Sequence, residues 1–191
     1  MKSLTNSTAF TYAAYREKVS KELQSKLTLS PEDTITHYTQ LNQSRMNRLD
    51  KTLVLTDSVR TKLLQLKQKY IFYVISEGWC GDAAQILPII NKIVEASDNL
   101  ELKIIFRDEN VEVMNQYLTN GAQAIPKLII LDQNHVEIAI WGPRPAPASN
   151  LILENKKQFG KVTDEAKEAL QVWYNTDKGV TTQNEIVALL A

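Results

Sequence analysis

The chain has 191 residues, enough for one domain with a real core and an extension. Its 22 Lys and Arg balance 22 Asp and Glu, so no basic stripe points to nucleic acid and no polybasic patch points to an anionic membrane. A single cysteine excludes an internal disulfide framework, and the longest apolar runs are too short to span a bilayer.

Met1-Lys-Ser-Leu-Thr-Asn-Ser-Thr has no apolar signal core, so a cytoplasmic protein is expected. From Phe10 to Leu27, helical spacing sets Tyr12, Tyr15, Val19, Leu23 and Leu27 on one face. Ser30-Pro31-Glu32-Asp33 reads as a second start signal, with Ser30 as cap and Pro31 at the first helical position. That helix is expected to pass His37, Leu41 and Met46 and to end at about Leu49. A third follows Thr56 and Asp57 and carries Val59, Leu63, Leu64 and Leu66. None of the three holds a titratable cluster that demands chemistry. Residues 1–55 therefore read as a helical extension packed on the domain C-terminal to it.

The next segment, 56–178, reads as the main domain. Tyr70 to Ile75 is an apolar, β-rich run expected to be a buried strand, and Ser76-Glu77-Gly78 turns the chain. Trp79 and Cys80 then precede a helix marked by Ile86, Leu87, Ile90 and Ile93. Leu100 to Phe106 is a second strand, and Val111 to Leu118 a short helix stopped by Asn120-Gly121. Pro126 opens an apolar strand ending at Leu131, and Asp132-Gln133-Asn134 turns it into a return strand, His135 to Trp141. Helical crossovers between the early strands imply parallel pairing there, and the last two strands form an antiparallel hairpin. Gly142-Pro143-Arg144-Pro145-Ala146-Pro147 reads as a rigid exit loop. Thr163 to Tyr174 is expected as the last covering helix, with Ala166, Leu170 and Trp173 inward. Residues 179–191 form a tail, packed on the domain or flexible. The expected fold class is α/β, a mixed central sheet covered by helices with an N-terminal helical extension.

Strand, short turn, cysteine and helix together aim the Cys80 thiol at a helix N-terminus, where free N–H groups and the dipole favour a thiolate. Asp82 in the first turn opposes that push and competes for the same positive potential. The plainer readings are a leftover semi-buried thiol, a packing role for Trp79, and a solvated turn and cap for Glu77 and Asp82. His37 and His135 stand far apart. No Ser–His–Asp order, Cys–His pair, metal-ligand spacing or phosphate loop is visible.

Trp79-Cys80-Gly81-Asp82-Ala83, after a buried strand and before a helix, resembles the Trp-Cys-Gly-Pro-Cys signature of the thioredoxin family. Pro88, eight residues after the cysteine, matches the proline that bends the family's helix. Ile125-Pro126 stands where the family carries its cis-proline, and Gly142 where it has a glycine loop facing the site. The resemblance covers Thr56 to Tyr174, and the helical extension and Gly-Pro-Arg-Pro loop look like a bacterial branch. It implies a thioredoxin-like fold (β-α-β-α-β-β-α), a role in redox homeostasis, Cys80 as the reactive residue, and substrate contacts from Trp79, Gly81, Asp82, Ile125, Pro126 and Arg144. It also brings Arg144, on the exit loop, near the site, as a candidate to neutralise Asp82 or to bind a ligand carboxylate such as glutathione's.

The departures are equally specific. The family's resolving cysteine falls on Ala83, its buried acid on Val74, and the intervening proline on Asp82. A dithiol cycle cannot run within a chain that has one sulfur for it. Two functions remain. The first is a monothiol redox protein in which Cys80 forms a mixed disulfide with glutathione or a client thiol and an external thiol resolves it. The second is a non-catalytic module that holds an extended peptide in the groove. Whether the chain is an enzyme, as a thiol–disulfide oxidoreductase, stays open at this point. No metal or resident cofactor is implied, only glutathione as a co-substrate; nucleic acid and membrane are not expected partners. A cluster bridged by Cys80 from two chains is physically allowed, but nothing else marks one.

Overall fold

The computed structural model describes residues 4–30 and 32–190. Four strands form one sheet in the order β2-β1-β3-β4: β1 is Tyr70–Ser76, β2 Leu100–Phe106, β3 Lys127–Asp132 and β4 Glu137–Trp141. β1 pairs parallel with β2, as expected for strands joined by a helical crossover. β3 runs antiparallel to β1, with Val74 opposite Leu128, and β4 returns antiparallel to β3 across a register shift at Ile130/Leu131. The fold is thus the mixed α/β sheet anticipated from the sequence.

Three helices precede the sheet: α1 (Tyr12–Leu29), α2 (Thr34–Thr52) and α3 (Asp57–Leu64). Just before α1, Phe10 exchanges two backbone hydrogen bonds of 2.8 Å with Ile104, which covers part of the β2 edge. Tyr15 and Val19 of α1 are buried, and the Tyr15 ring stacks on Phe106. Leu27, placed on the same face by spacing, is exposed. α2 begins three residues later than expected. The Asp33 carboxylate, not Ser30, accepts the Thr36 N–H at 2.9 Å, while the Ser30 N–H closes α1 on Lys26. Pro31 lies outside the described residues.

α4 (Gly81–Glu95) follows β1 and buries Ile86, Leu87, Ile90 and Ile93 completely, with Pro88 inside it. α2 packs on α4. After β2 the short helix α5 is only Val111–Met114, and Asn120 and Gly121 both take left-handed backbone where the segment turns.

The C-terminal part differs most from expectation. Pro145 and Pro147 begin a helix, α6 (Ala146–Phe159), instead of prolonging a loop. They occupy the cap and second helical positions, where an absent N–H leaves no bond unmade. α7 (Asp164–Asp177) turns Ala166, Leu170 and Tyr174 inward, with Trp173 only half-buried. The tail is helical too: α8 (Val180–Ala188) packs on α3 and α4 and buries Ile186 and Val187. Its Gln183 side chain accepts the Thr56 N–H at 3.0 Å and donates to the Val54 carbonyl at 3.2 Å, which satisfies the backbone of the α2–α3 connection. Among the described residues no helix is long and apolar enough to cross a membrane.

Candidate functional site

β1 ends at Ser76, and Glu77-Gly78-Trp79 carries the chain to Cys80, which caps α4. The N-terminal helices brace this turn. A Cβ on Gly78 would lie 2.6 Å from Val19 Cγ1, so the close approach of α1 requires a residue without a side chain. From α2, Asn42 Nδ2 donates to the Gly78 carbonyl at 3.1 Å. Glu77 is buried, and its Oε1 accepts the Asp108 N–H at 2.9 Å; burial raises its carboxyl from 4.5 to about 7 despite that bond.

Cys80 is 8% exposed and is a free thiol. Its Sγ donates to the Ile125 carbonyl at 3.4 Å. Burial first, then the Asp82 charge, pushes the thiol up to about 12. The backbone N–H groups of Ala83 and Asp82 and the Arg144 guanidinium pull the other way but do not prevail. Removal from water therefore outweighs the helix terminus that the sequence suggested would favour a thiolate.

Asp82 is 8% exposed and fully engaged. One oxygen meets Arg144 Nη2 at 2.6 Å and the other accepts the Tyr174 hydroxyl at 2.9 Å. Burial above all, and then Asp82, raise the Tyr174 phenol well above its ordinary range. For Arg144, burial disfavours the cation, but Asp82 more than compensates and the pKa rises. The exit loop is held in place from two sides. Gly142 has φ +108°, and a Cβ there would lie 2.4 Å from the Pro126 carbonyl oxygen, so the loop can pass this close only with glycine. Glu185 of α8 accepts the Ala146 N–H and the Trp141 indole N–H, both at 2.8 Å.

Trp79, Cys80, Gly81, Asp82, Ile125 and Arg144 line one open cleft of about 560 Å³. Pro126, in a cis peptide with Ile125, is not on its wall; it is buried behind, with its carbonyl facing Gly142. Val74, at the position of the family's buried acid, is fully buried and apolar. The cleft also contains residues that sequence reasoning did not place there: Tyr38 and Arg45 from α2, Arg107 after β2, and Lys167 and Gln171 from α7. Only tertiary packing brings these together. Tyr174 stands beside Trp173 on the last helix; both face the core, Tyr174 buried and Trp173 partly so. Arg107 lies 4.8 Å above the Trp79 ring, so one face of the indole is already occupied by a cation. Among the described residues, no group of three or more His, Cys, Asp or Glu is arranged to hold a metal ion.

Residues 28–176 match the family model described as thioredoxin. The chain is similar in structure to a Pseudomonas aeruginosa protein of unknown function, at 20% identity and TM-score 0.60, over 78% of this chain and 83% of that one. It is similar also to an HIV epitope scaffold, at 18% identity and TM-score 0.61, over 80% and 88% of the two chains. These two likenesses concern the fold. A search of curated proteins found no match.

Proposed function

The chain belongs to the thioredoxin family, and from that premise we propose that it is a cytoplasmic binding module, holding an extended peptide in the cleft without turning over a disulfide. One observation carries this reading: Cys80 is a buried thiol that donates its proton to the Ile125 carbonyl and is pushed up to about 12. A thiol raised this way by burial is held in its protonated form at neutral pH, and the thiol is the poor nucleophile of the pair. With no second cysteine in the chain, no internal thiol could release a trapped partner. What the site retains is recognition: a half-buried indole, an arginine on an anchored loop, and a 560 Å³ cleft of the size that takes small ligands or a few side chains.

A monothiol redox role is the second reading, in which Cys80 attacks oxidised glutathione or a client disulfide and an external thiol resolves the product. It is favoured by the position of Cys80 on the cleft wall, with the N–H groups of Asp82 and Ala83 close to its sulfur.

The two readings separate in one experiment. Labelled peptides are titrated against the wild type and Cys80→Ser, with and without a phosphine reductant, and every mixture is weighed intact. The binding module gives equal affinities in all arms and no covalent adduct. Affinity that disappears in Cys80→Ser or with reductant, together with a mass increase of one peptide or one glutathione, would replace it with the monothiol reading.

A further inference from the structure

Lys and Arg equal Asp and Glu over the whole chain, yet the cleft is lined by Arg45, Arg107, Arg144 and Lys167 against one carboxylate, Asp82. The four cations come from four separate places: α2, the turn after β2, the exit loop and α7. Such convergence is not the ordinary solvated face of a single helix. Their existing partners differ in a telling way. Asp82 is committed to Arg144 and Tyr174. Arg107 pairs with Asp108 and Lys167 with Asp164, each at 2.8 Å, but both carboxylates are exposed and readily exchanged for a ligand's. Arg45 has no carboxylate within ion-pair distance among the described residues; its Nη1 donates to Asn42 Oδ1 at 3.0 Å. Burial, with Arg48 nearby, lowers its pKa, so its charge would be stabilised by an incoming anion. The buried Nε of Arg144 also lacks a hydrogen-bond partner among the described residues.

Between these cations the wall is apolar, formed by Trp79, Ile125, Pro143 and Leu170. We propose that the cleft selects an acidic peptide segment, seating an apolar side chain against Trp79, Pro143 and Leu170 and pairing flanking carboxylates with Arg45, Arg107 and Lys167. This identifies the ligand class of the binding module described above and rests on that reading. Charge complementarity commits the site to an anionic ligand. The cationic groups are gathered in a cleft of about 560 Å³ on a chain of zero net charge, whereas a nucleic-acid strand calls for a long positive track.

The test uses the full chain and fluorescein-labelled heptapeptides with a central Phe flanked by Glu, Gln or Lys, read by anisotropy at low and high salt. Oligothymidylate of similar length is a fourth probe. The Glu peptide is expected to bind at least about tenfold more tightly than the Gln peptide, the Lys peptide more weakly still, and salt should narrow the gap. Arg45→Gln should weaken the Glu peptide about tenfold and the Gln peptide far less, a selective loss that general structural damage would not give. Equal binding of the Glu and Gln peptides would overturn selection for acid while leaving the binding module intact. Absence of binding by every peptide, or its loss in Cys80→Ser, would overturn both. Tighter binding of oligothymidylate than of the Glu peptide would overturn the peptide class.

Discussion

Glu77, in the turn that delivers Cys80, makes stability depend on pH in an unusual direction. Its carboxyl has an ordinary value of 4.5 and is raised by burial to about 7 in the folded chain, with the Asp108 N–H opposing the shift. Between those values the folded state binds more protons than the unfolded state, so this group's contribution is fully present below about pH 4.5 and is lost as pH rises through 7. The full difference corresponds to about 3 kcal/mol. Glu77 also borders a water-accessible recess beside Gly78 and Trp79, so screening reduces the expected effect to about 1–2 kcal/mol. Glu77→Gln keeps an amide oxygen for the Asp108 N–H at 2.9 Å and removes the ionisation. Urea unfolding at half-unit steps from pH 5 to 8.5 should show the variant gaining on the wild type as pH rises, ending about 1–2 kcal/mol more stable at pH 8. A difference between the two proteins that is flat with pH, or a variant that loses ground at high pH, would refute the reasoning.

Three other substitutions test the architecture around the site. Asp82→Asn removes the second-largest cause of the raised Cys80 thiol and frees Arg144 to favour the thiolate; iodoacetamide should modify Cys80 roughly ten- to a hundredfold faster at pH 8. Gly142→Ala combines a φ of +108° with a contact 2.4 Å from the Pro126 oxygen and should cost at least about 2 kcal/mol in urea unfolding. Glu185→Ala removes the acceptor shared by Trp141 and Ala146 and should lower stability by about 1–2 kcal/mol, with faster amide exchange confined to the Arg144 loop and the start of α6.

The sheet was legible chiefly through the apolar, β-rich runs of its central strands, β1 and β3. Tyr70 to Ile75 and Leu100 to Phe106 coincide almost residue for residue with β1 and β2; β1 is apolar and buried on both faces, whereas β2, at the sheet edge, alternates Leu100, Leu102 and Ile104 with the exposed Glu101 and the half-buried Lys103. The helices near the C-terminus were less visible. Pro145 and Pro147 suggested a loop, although the same residues are compatible with a helix start, and composition alone does not distinguish the two. α8 is short, and its buried Thr182 and Gln183 look like surface residues until the backbone they pair with is known. At the site, the strand–turn–helix pattern set Trp79, Cys80 and Asp82 at the start of α4, where the structure has them, and the family resemblance brought Arg144 near Asp82, to which it is paired at 2.6 Å. The competition between the helix terminus and burial could not be judged from sequence, because burial of Cys80 depends on residues distant in the chain, Ile125 among them. The cationic wall was hidden for the same reason: Arg45 and Lys167 are more than a hundred residues apart in the chain and meet only in the fold.

The most direct test of a site that recognises without sulfur chemistry is the ionisation of Cys80 in the wild-type protein. Its alkylation rate is measured from pH 6 to 10.5, with intact mass recorded after incubation with oxidised glutathione at pH 7.5. A rate still climbing at the top of the range, with no glutathione added, is the predicted result for a buried thiol pushed up to about 12. A rate that levels off below the ordinary thiol value of about 8.5, with one glutathione attached, would contradict it and make Cys80 a working nucleophile.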